Sequence, residues 1–334
     1  MKKIFLSITI DTECDKEFDW KVKRPLSFDN TRNQIKSNLL PVFNEFGAIP
    51  TYLLSPEVIK DEESAEVFKS FGNSVELGTH LHSEFIEPEA NMDTDNTDLY
   101  QKDLTYEVEK RKLENLTNLF FDTFGYKPLS FRAGRYGISQ RTFGILEKLG
   151  YKVDSSVTPD MQWKNKNKFK NSLNFFGAPY QPYYPDNDDF RKPGKMEILQ
   201  SPVSVVNYKL SSLPSFLKRK IRLNNRYQHI LFNYLTNFNK PVMLRPTNNS
   251  LEKMIALSNY LIKSNEASHI FLCMMFHSNE YCIGASPYSM TKEKVKKNIS
   301  NLERYLCWLK NQKNISFTKL SDTKLIYDNM LNKN

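Results

Sequence analysis

Two of the five histidines in this sequence stand one residue apart, in the stretch Thr79-His80-Leu81-His82. Side chains alternate along an extended chain, so His80 and His82 would project from the same side of the backbone. Two neutral imidazoles that converge on one point are typical zinc ligands, and a carboxylate would complete such a site. The alternative is a polar loop in which both rings only make hydrogen bonds. The spacing therefore indicates a candidate metal site that needs a carboxylate.

Two carboxylates stand at the same spacing, Asp11 and Glu13, and they follow the apolar, β-branched run of residues 3–10. Such a run is typical of a buried strand. In α/β folds, functional residues gather at the carboxyl ends of strands, where Asp11 and Glu13 can point at a common site. A helix cap or a turn is the alternative explanation of this acidic pair.

The elements that would position these side chains alternate along the chain as strand and helix, with glycine or proline at many of the switches. Helical spacing of apolar residues predicts helices at 30–46, 56–71, 104–124, 139–149, 251–263 and 291–312. Short apolar runs predict strands at 3–10, 49–54, 75–78, 129–133, 151–156, 195–203, 241–246, 269–277 and 315–318. This alternation is typical of an α/β fold with a parallel sheet, here curled into a barrel.

Polar residues that can do chemistry come at the carboxyl ends of these predicted strands. They are Asp11, Glu13, His80, His82, Arg132, Asp154 and His277. If the strands are parallel, all of these side chains open onto one mouth of the barrel. Because the sequence shows no internal repeat and no linker, we expect one domain over residues 1–334, with an Asn-, Pro-, Tyr- and Asp-rich excursion at 165–194.

The order of these residues is similar to that of the polysaccharide deacetylases with NodB homology, a family of metal-dependent carbohydrate esterases. The family has, in order, a Thr-Phe-Asp-Asp strand end, a histidine pair, an Arg-containing motif, an Asp- and Trp-containing motif and a Leu-x-Leu-His strand. The matching stretches span nearly the whole chain: Thr9-Ile10-Asp11-Thr12-Glu13, His80-Leu81-His82, residues 131–137, residues 154–163 and Met275-Phe276-His277. The resemblance implies a distorted, incomplete (β/α) barrel of about seven parallel strands.

The resemblance also implies a reaction, the hydrolysis of an N-acyl group, expected to be N-acetyl, from an amino sugar in surface-polysaccharide biosynthesis. One divalent metal, expected to be zinc, would be held by Glu13, His80 and His82, with a metal-bound water as the nucleophile. The substrate would be an amino-sugar-containing glycan, a lipid-linked sugar or a nucleotide sugar.

Catalytic roles follow from the same resemblance. Asp11 would be the general base, and Arg132 would pair with it and keep it ionised. His277 would donate a proton to the leaving amine, and Asp154 would orient His277 or line the site. The residues that the resemblance implies in substrate binding are Tyr136, Trp163 and Arg135.

The sequence departs from the family pattern at two positions. The adjacent Asp-Asp pair is replaced by Asp11-Thr12-Glu13, so the metal carboxylate becomes a longer glutamate one position later, which also binds zinc through oxygen. The two histidines of the family are usually four residues apart, whereas here they are two apart and Glu84 stands where the second would fall. His82 is the expected ligand, and Glu84 stays open as the alternative.

Two other functional classes remain as alternatives. A non-catalytic carbohydrate-binding barrel with a degenerate metal site would explain both departures. An amidohydrolase-type metal hydrolase also carries a His-x-His motif, but that motif normally ends the first strand and needs more histidines downstream than this chain offers. No motif supports nucleic-acid binding, because the positive charge is not part of a recognisable binding element.

Composition bears on partners and location. A net charge of +9 and a pI near 9.1 favour anionic partners. The basic segment 214–238 is predicted to form a helix, either on the outside of the barrel or in peripheral contact with an anionic membrane. No run is long enough for a transmembrane segment, the first residues are interpreted as a strand instead of a signal peptide, and the cysteines form no CxxC pair, so we expect a cytoplasmic protein.

Overall fold

The computed structural model describes residues 2–91, 100–165, 168–236 and 240–332. The strands are β1 (Lys3–Thr12), β2 (Thr51–Leu54), β3 (Glu76–Leu81), β4 (Ser130–Ala133), β5 (Val153–Asp154), β6 (Gln162–Asn165), β7 (Lys168–Asn174), β8 (Leu199–Gln200), β9 (Val205–Val206), β10 (Val242–Met243), β11 (His269–His277) and β12 (Ile315–Phe317). Seven of them form one parallel sheet in the order β11-β1-β2-β3-β4-β5-β8, and β12 pairs with the first half of β1. The predicted α/β class with an incomplete (β/α) barrel is confirmed.

The sheet curls strongly, as a contact between β1 and β4 shows. In a flat sheet these two strands would lie about 14 Å apart, which is three spacings of about 4.8 Å. Instead, Nη1 of Arg132 on β4 lies 2.6 Å from Oδ1 of Asp11 on β1. The sheet therefore bends around its own interior and brings side chains from non-neighbouring strands together.

Helices cover the outside of the sheet, and no helix in the described ranges has the length and apolarity to cross a membrane. They are a π-helix (Asn30–Leu39), α1 (Leu40–Phe46), α2 (Pro56–Lys60), α3 (Glu62–Ser70), α4 (Tyr106–Phe124), α5 (Gln140–Leu149), α6 (Tyr208–Ser211), α7 (Ser215–Lys218), α8 (Arg226–Leu235), α9 (Leu251–Ser264), α10 (Lys292–Lys310) and α11 (Asp322–Leu331). Local signals set their ends. Thr105 caps α4 by accepting a hydrogen bond from Val108 N, and Gly125 ends it at a φ of 79°.

The strand register sets which residues meet at the carboxyl ends of the sheet. Asp11 at the end of β1 stands opposite His277 at the end of β11, and His80 on β3 stands opposite Arg132 on β4. Opposed residues in a parallel pair project from the same face of the sheet. Because both faces of β1 are buried, a one-residue slip of this register would exchange the two faces and turn Asp11 away from His277.

Two predicted helices are broken in the structure. The predicted helix 56–71 is split at Asp61, which is extended and accepts a hydrogen bond from Ser64 N as the cap of α3. The predicted basic helix 214–238 is wrong as a single element, because a non-helical segment separates α7 from α8. Residues 237–238 lie outside the described part. Asn225 caps α8, and the carbonyl of Leu223 accepts a hydrogen bond from the Gln162 side chain instead of from a helical amide.

Two predicted barrel strands are also corrected. Of residues 195–203, only β8 joins the sheet, and Pro202 has no amide hydrogen with which to continue the ladder. The predicted strand 241–246 is not in the barrel, because β10 pairs antiparallel with β9. The expected excursion at 165–194 includes β7, which forms an antiparallel hairpin with β6, although residues 166–167 lie outside the described ranges.

Candidate active site

Three donor atoms converge at the carboxyl ends of β1 and β3. Oε1 of Glu13 lies 3.5 Å from Nε2 of His80 and 3.2 Å from Nε2 of His82, and the two Nε2 atoms are 3.2 Å apart. All three residues are buried. Both imidazoles of the His-x-His stretch therefore lie on one side of the backbone and meet the Glu13 carboxylate there.

The size of this triangle fits a tetrahedral metal ion. Zinc binds nitrogen and oxygen at about 2.0–2.1 Å, which places tetrahedral ligand atoms about 3.3 Å apart. The observed spacings of 3.2–3.5 Å match that edge length. One oxygen and two imidazole nitrogens suit zinc and other divalent transition metals. Glu13, His80 and His82 thus have the spacing and the chemistry to hold one divalent ion and leave a fourth position for substrate or water.

Each of the three donors is oriented by a hydrogen bond or ion pair on its far side. Nδ1 of His80 donates to the carbonyl of Arg132 at 3.0 Å, which leaves the Nε2 lone pair facing the triangle. Nδ1 of His82 donates to Oε1 of Glu84 at 3.2 Å. Oε2 of Glu13 pairs with the buried Lys16 ammonium at 2.6 Å, so Oε1 alone faces the histidines.

Glu84 lies behind His82 and outside the donor triangle. Its carboxylate is held between His82 and Arg135, whose guanidinium lies 2.5 Å away. Burial opposes charge on His82, but Glu13 and Glu84 raise the pKa of its imidazole to about 9. The carboxylates of Glu13 and Glu84 therefore stabilise a positive charge at the triangle. A divalent cation can supply this charge in place of the proton on His82. The geometry supports His82 over Glu84 as the ligand.

Changing Glu84 to glutamine would weaken metal binding without removing a donor. Outer partners of ligating histidines typically contribute 10–100-fold to metal affinity, so we expect Glu84→Gln to weaken zinc binding roughly 10–100-fold. Competition with a chromophoric chelator measures this change. Glu66→Gln, at an exposed position whose partner is Lys69, is the matched control. Complete loss of the metal would instead make Glu84 a ligand, and unchanged affinity would contradict its orienting role.

Asp11 and Arg132 form a buried ion pair beside the triangle. Nη1 of Arg132 donates to Oδ1 of Asp11 at 2.6 Å, and its other nitrogens donate to Thr9 Oγ1 and to the carbonyl and hydroxyl of Ser155. Burial alone would raise the pKa of Asp11, but Arg132, followed by His80 and His277, lowers it below the ordinary value. Asp11 is therefore ionised and fixed in position, with Oδ2 left facing the site.

His277 approaches the same point from β11. Its Nε2 lies 3.9 Å from Oδ2 of Asp11 and 3.7 Å from Oε1 of Glu13. Its Nδ1 donates to Oε1 of Glu280 at 2.8 Å. Glu280 is in turn held by the guanidinium of Arg245, with Nε 3.1 Å from Oε2. Burial raises the pKa of Glu280, but Arg245 and His277 together lower it to about 2.

Asp154, expected to orient His277 or to line the site, does not contact His277 in the structure. Within the described chain, the carboxylate that contacts Nδ1 of His277 is Glu280. Asp154 instead accepts hydrogen bonds from the backbone and hydroxyl of Ser156, and burial raises its pKa to about 7. Ser156 also accepts from Ala133 N, so Asp154 supports the backbone next to Arg132. The reason is the register: Asp154 stands opposite Phe131 on β4, so it projects from the other face of the sheet than the neighbouring Arg132.

Aromatic side chains form two walls of the site. The ring of Trp20 lies 4.9 Å from that of His277. On the other side Tyr136 and Trp163 stack with their rings 4.9 Å apart. The Tyr136 hydroxyl is buried, and no hydrogen-bond partner for it is found among the described residues. Burial, with a smaller contribution from Asp11, raises the pKa of this hydroxyl, so it stays protonated and can donate to a bound molecule.

Sequence reasoning missed the residues that hold the donors in place. Glu280, Arg245 and Lys16 make the closest of these contacts. A weak signal existed for two of them, since Glu280 follows His277 by three residues and Lys16 follows Glu13 by three, the spacing of one helical turn. Arg135, expected to bind substrate, pairs with Glu84 at the rim of the site.

No protein-family model matches the sequence, and the comparison with curated proteins gave no match. Solved structures match over nearly the whole chain. A protein from Mycobacterium smegmatis assigned to the polysaccharide deacetylases is 11% identical with a TM-score of 0.54, and the match covers 99% of this chain and 91% of the other. A Pseudomonas aeruginosa PAO1 protein with the same assignment is 11% identical, with a TM-score of 0.54 and coverage of 98% and 92%.

A third match comes from Puue allantoinase, which is 12% identical with a TM-score of 0.57, over 98% of this chain and 91% of the other. At such low identity these likenesses bear on the fold and not on the reaction. The resemblance expected from the motifs is nevertheless confirmed at that level. This chain has the incomplete (β/α) barrel fold seen in the structures assigned to the polysaccharide deacetylases and in the allantoinase.

Proposed function

We propose that this chain, as one domain of residues 1–334, is a metal-dependent hydrolase that removes an N-acyl group, with N-acetyl as the expected case, from an amino sugar. One observation carries the proposal. Nε2 of His277 lies within 4 Å of both Asp11, which is held by Arg132, and Glu13, which belongs to the donor triangle. A general base, a general acid and a metal site thus face one point.

The chain's own residues divide the reaction between them. A bound divalent metal, with zinc as our first choice, would polarise the acyl carbonyl and lower the pKa of water. Asp11 accepts a proton from the attacking water, and Arg132 keeps that carboxylate ionised. Protonated His277, which Glu280 orients, donates its proton to the leaving nitrogen. The amide C–N bond breaks as the new C–O bond forms, which gives a carboxylic acid and a free amine.

The aromatic side chains on the two walls of the site would bind the substrate. The faces of Trp20 and of the Tyr136–Trp163 pair suit the apolar faces of sugar rings, and the Tyr136 hydroxyl can donate to the acyl oxygen or to a sugar hydroxyl. We further propose that the amino sugar belongs to a surface-polysaccharide precursor. We place the protein in the cytoplasm, because Cys14, Cys273 and Cys282 are free and buried thiols.

Metal content tests the proposal first. We expect about one zinc-like ion per chain in the wild type by elemental analysis and none in His80→Ala, because removal of one of three protein ligands opens the triangle. Acetate release from N-acetylated amino sugars should follow metal content and disappear with a chelator. Lack of metal in the wild type after zinc addition would support a carbohydrate-binding barrel without catalysis. Release of product from allantoin instead would favour the reaction named for the allantoinase.

A further inference from the structure

Basic residues are concentrated in one part of the sequence, residues 198–251. This stretch contains eight lysines and arginines and no aspartate or glutamate. The other 280 residues contain 39 basic and 38 acidic residues, so nearly all of the net charge of +9 resides in 198–251. Lys220, Arg222 and Arg226, which lie just before or at the start of α8, are exposed. Exposed cations of this stretch therefore lie next to α8, whereas Lys218 and Arg245 are paired with Asp160 and Glu280.

Helix α8 presents its apolar side chains to solvent. Five of them recur at the spacing of a single helix face and are 53–83% exposed: Tyr227, Ile230, Leu231, Tyr234 and Leu235. None of the ten residues of α8 is buried. A helix that forms part of a core turns such a stripe inward, whereas an outward stripe marks an interaction surface. We call these five residues the α8 stripe.

The segment before α8 holds this helix firmly on the barrel. The ammonium of Lys218 is buried 3.2 Å from the carboxylate of Asp160, and the carbonyl of Leu223 accepts a hydrogen bond from Gln162. Phe232, on the other face of α8, packs against the protein body. The stripe is therefore held in an outward position by contacts elsewhere in the segment.

The α8 region lies next to the mouth of the barrel. Gln162, which contacts the loop before α8, is followed by Trp163, and Trp163 stacks on Tyr136 at the edge of the site. Strand β6 therefore contacts the loop before α8 through Gln162 and the edge of the candidate active site through the next residue, Trp163.

We propose that the α8 stripe docks onto a lipid bilayer that contains anionic lipids. An interfacial helix buries an apolar face at the headgroup boundary and places basic residues beside anionic headgroups, and α8 with its basic neighbours offers both features. A second copy of this chain fits less well, because it would bring the exposed Lys220, Arg222 and Arg226 of both copies close together. Nucleic acid also fits less well, since Ile230, Leu231 and Leu235 give neither base stacking nor hydrogen bonds.

This docking surface goes beyond the proposed function and does not depend on it. One consequence does rest on the proposed function: a bilayer at the α8 stripe would bring lipid-carried amino sugars to the mouth of the barrel. The lipid-linked class of substrate is then favoured over soluble nucleotide sugars and free monosaccharides.

Vesicle sedimentation tests the docking surface. We expect the full chain to bind vesicles of equimolar phosphatidylcholine and phosphatidylglycerol, to bind pure phosphatidylcholine at least about tenfold more weakly, and to dissociate at high salt. The double variant Leu231→Asp/Leu235→Asp should lose binding by at least about tenfold, because two side chains that would enter hydrocarbon become charged. Leu325→Asp is the matched control, since Leu325 is an exposed leucine on α11, and it should bind as the wild type does.

Several outcomes would overturn the proposal. Failure of the wild type to bind anionic vesicles is one, and equal loss in the Leu325→Asp control is another. If the protein forms a dimer that the double variant abolishes, and does not bind vesicles, the occupant of the α8 stripe is a second copy of this chain. If the protein binds nucleic acid and not vesicles, the occupant is nucleic acid. His80→Ala should bind vesicles normally, so failure of the proposed catalytic site and failure of the docking surface can be told apart.

Discussion

Replacing Asp11 with asparagine is expected to lower kcat for acetate release by about 10²–10⁴-fold, the usual contribution of a positioned general base. Asparagine keeps the size of the side chain but cannot accept a proton at neutral pH. Asp11 lies outside the triangle of Glu13, His80 and His82, so the metal content should stay at the wild-type level. Elemental analysis and acetate release, measured on the same preparation, test both halves of the prediction.

The matched control for Asp11→Asn is Asp154→Asn. Asp154 is also a buried carboxylate at the end of a barrel strand, but its hydrogen bonds run to Ser156 and it does not face His277. We expect less than about a tenfold loss of kcat there, since a structural support is weakened and no proton acceptor is removed. Full activity of Asp11→Asn with metal bound would show that another group is the base. A larger loss of kcat in Asp154→Asn than in Asp11→Asn would make Asp154 the base and Asp11 the structural support.

The positions at strand ends were predictable because a parallel sheet brings its carboxyl ends to one edge. Asp11, His80, Arg132 and His277 follow apolar runs, and register alone places them on one face. The spacing of two between His80 and His82 likewise settled which side of the backbone both rings occupy. Local sequence patterns were thus sufficient to predict which of these side chains lie close together.

The supporting residues were not predictable in the same way. Arg245 lies 35 residues from Glu280 in sequence, and their pairing depends on how β10 and the turn after β11 pack. No local spacing encodes such a contact, because it results from long-range packing. Asp154 is a second case: the sequence placed it correctly at a strand end, but its pairing with Phe131 on β4 puts it on the other face of the sheet.

The broken helix at 214–238 shows a different limit of sequence patterns. Its apolar residues follow helical spacing, yet the carbonyl of Leu223 accepts a hydrogen bond from the Gln162 side chain and Asn225 caps a new helix. Helical periodicity identifies a face but not whether that face turns inward. In α8 the periodic face points to solvent, so the pattern that normally predicts a core helix here marks a surface.

Replacing Arg132 with methionine is expected to lower the free energy of unfolding by about 3–5 kcal/mol, because it leaves the carboxylate of Asp11 buried without its cation. Urea unfolding of metal-free protein measures the change without a contribution from metal binding. Arg32→Met is the control: Arg32 pairs with Asp61 near the surface, so its loss should cost about 1 kcal/mol or less.

The Asp11→Ala/Arg132→Met double variant should be no less stable than Arg132→Met alone, since removing both charges removes the uncompensated one. The difference in the free energy of unfolding between the wild type and Arg132→Met should become smaller in acid. Folding lowers the pKa of Asp11 in the wild type, so the stabilisation by the ion pair is present above the ordinary aspartate pKa and is lost as pH falls through the lower folded value. A gap that stays constant from neutral pH into acid would mean that Arg132 stabilises the barrel through Thr9 and Ser155 and not through Asp11.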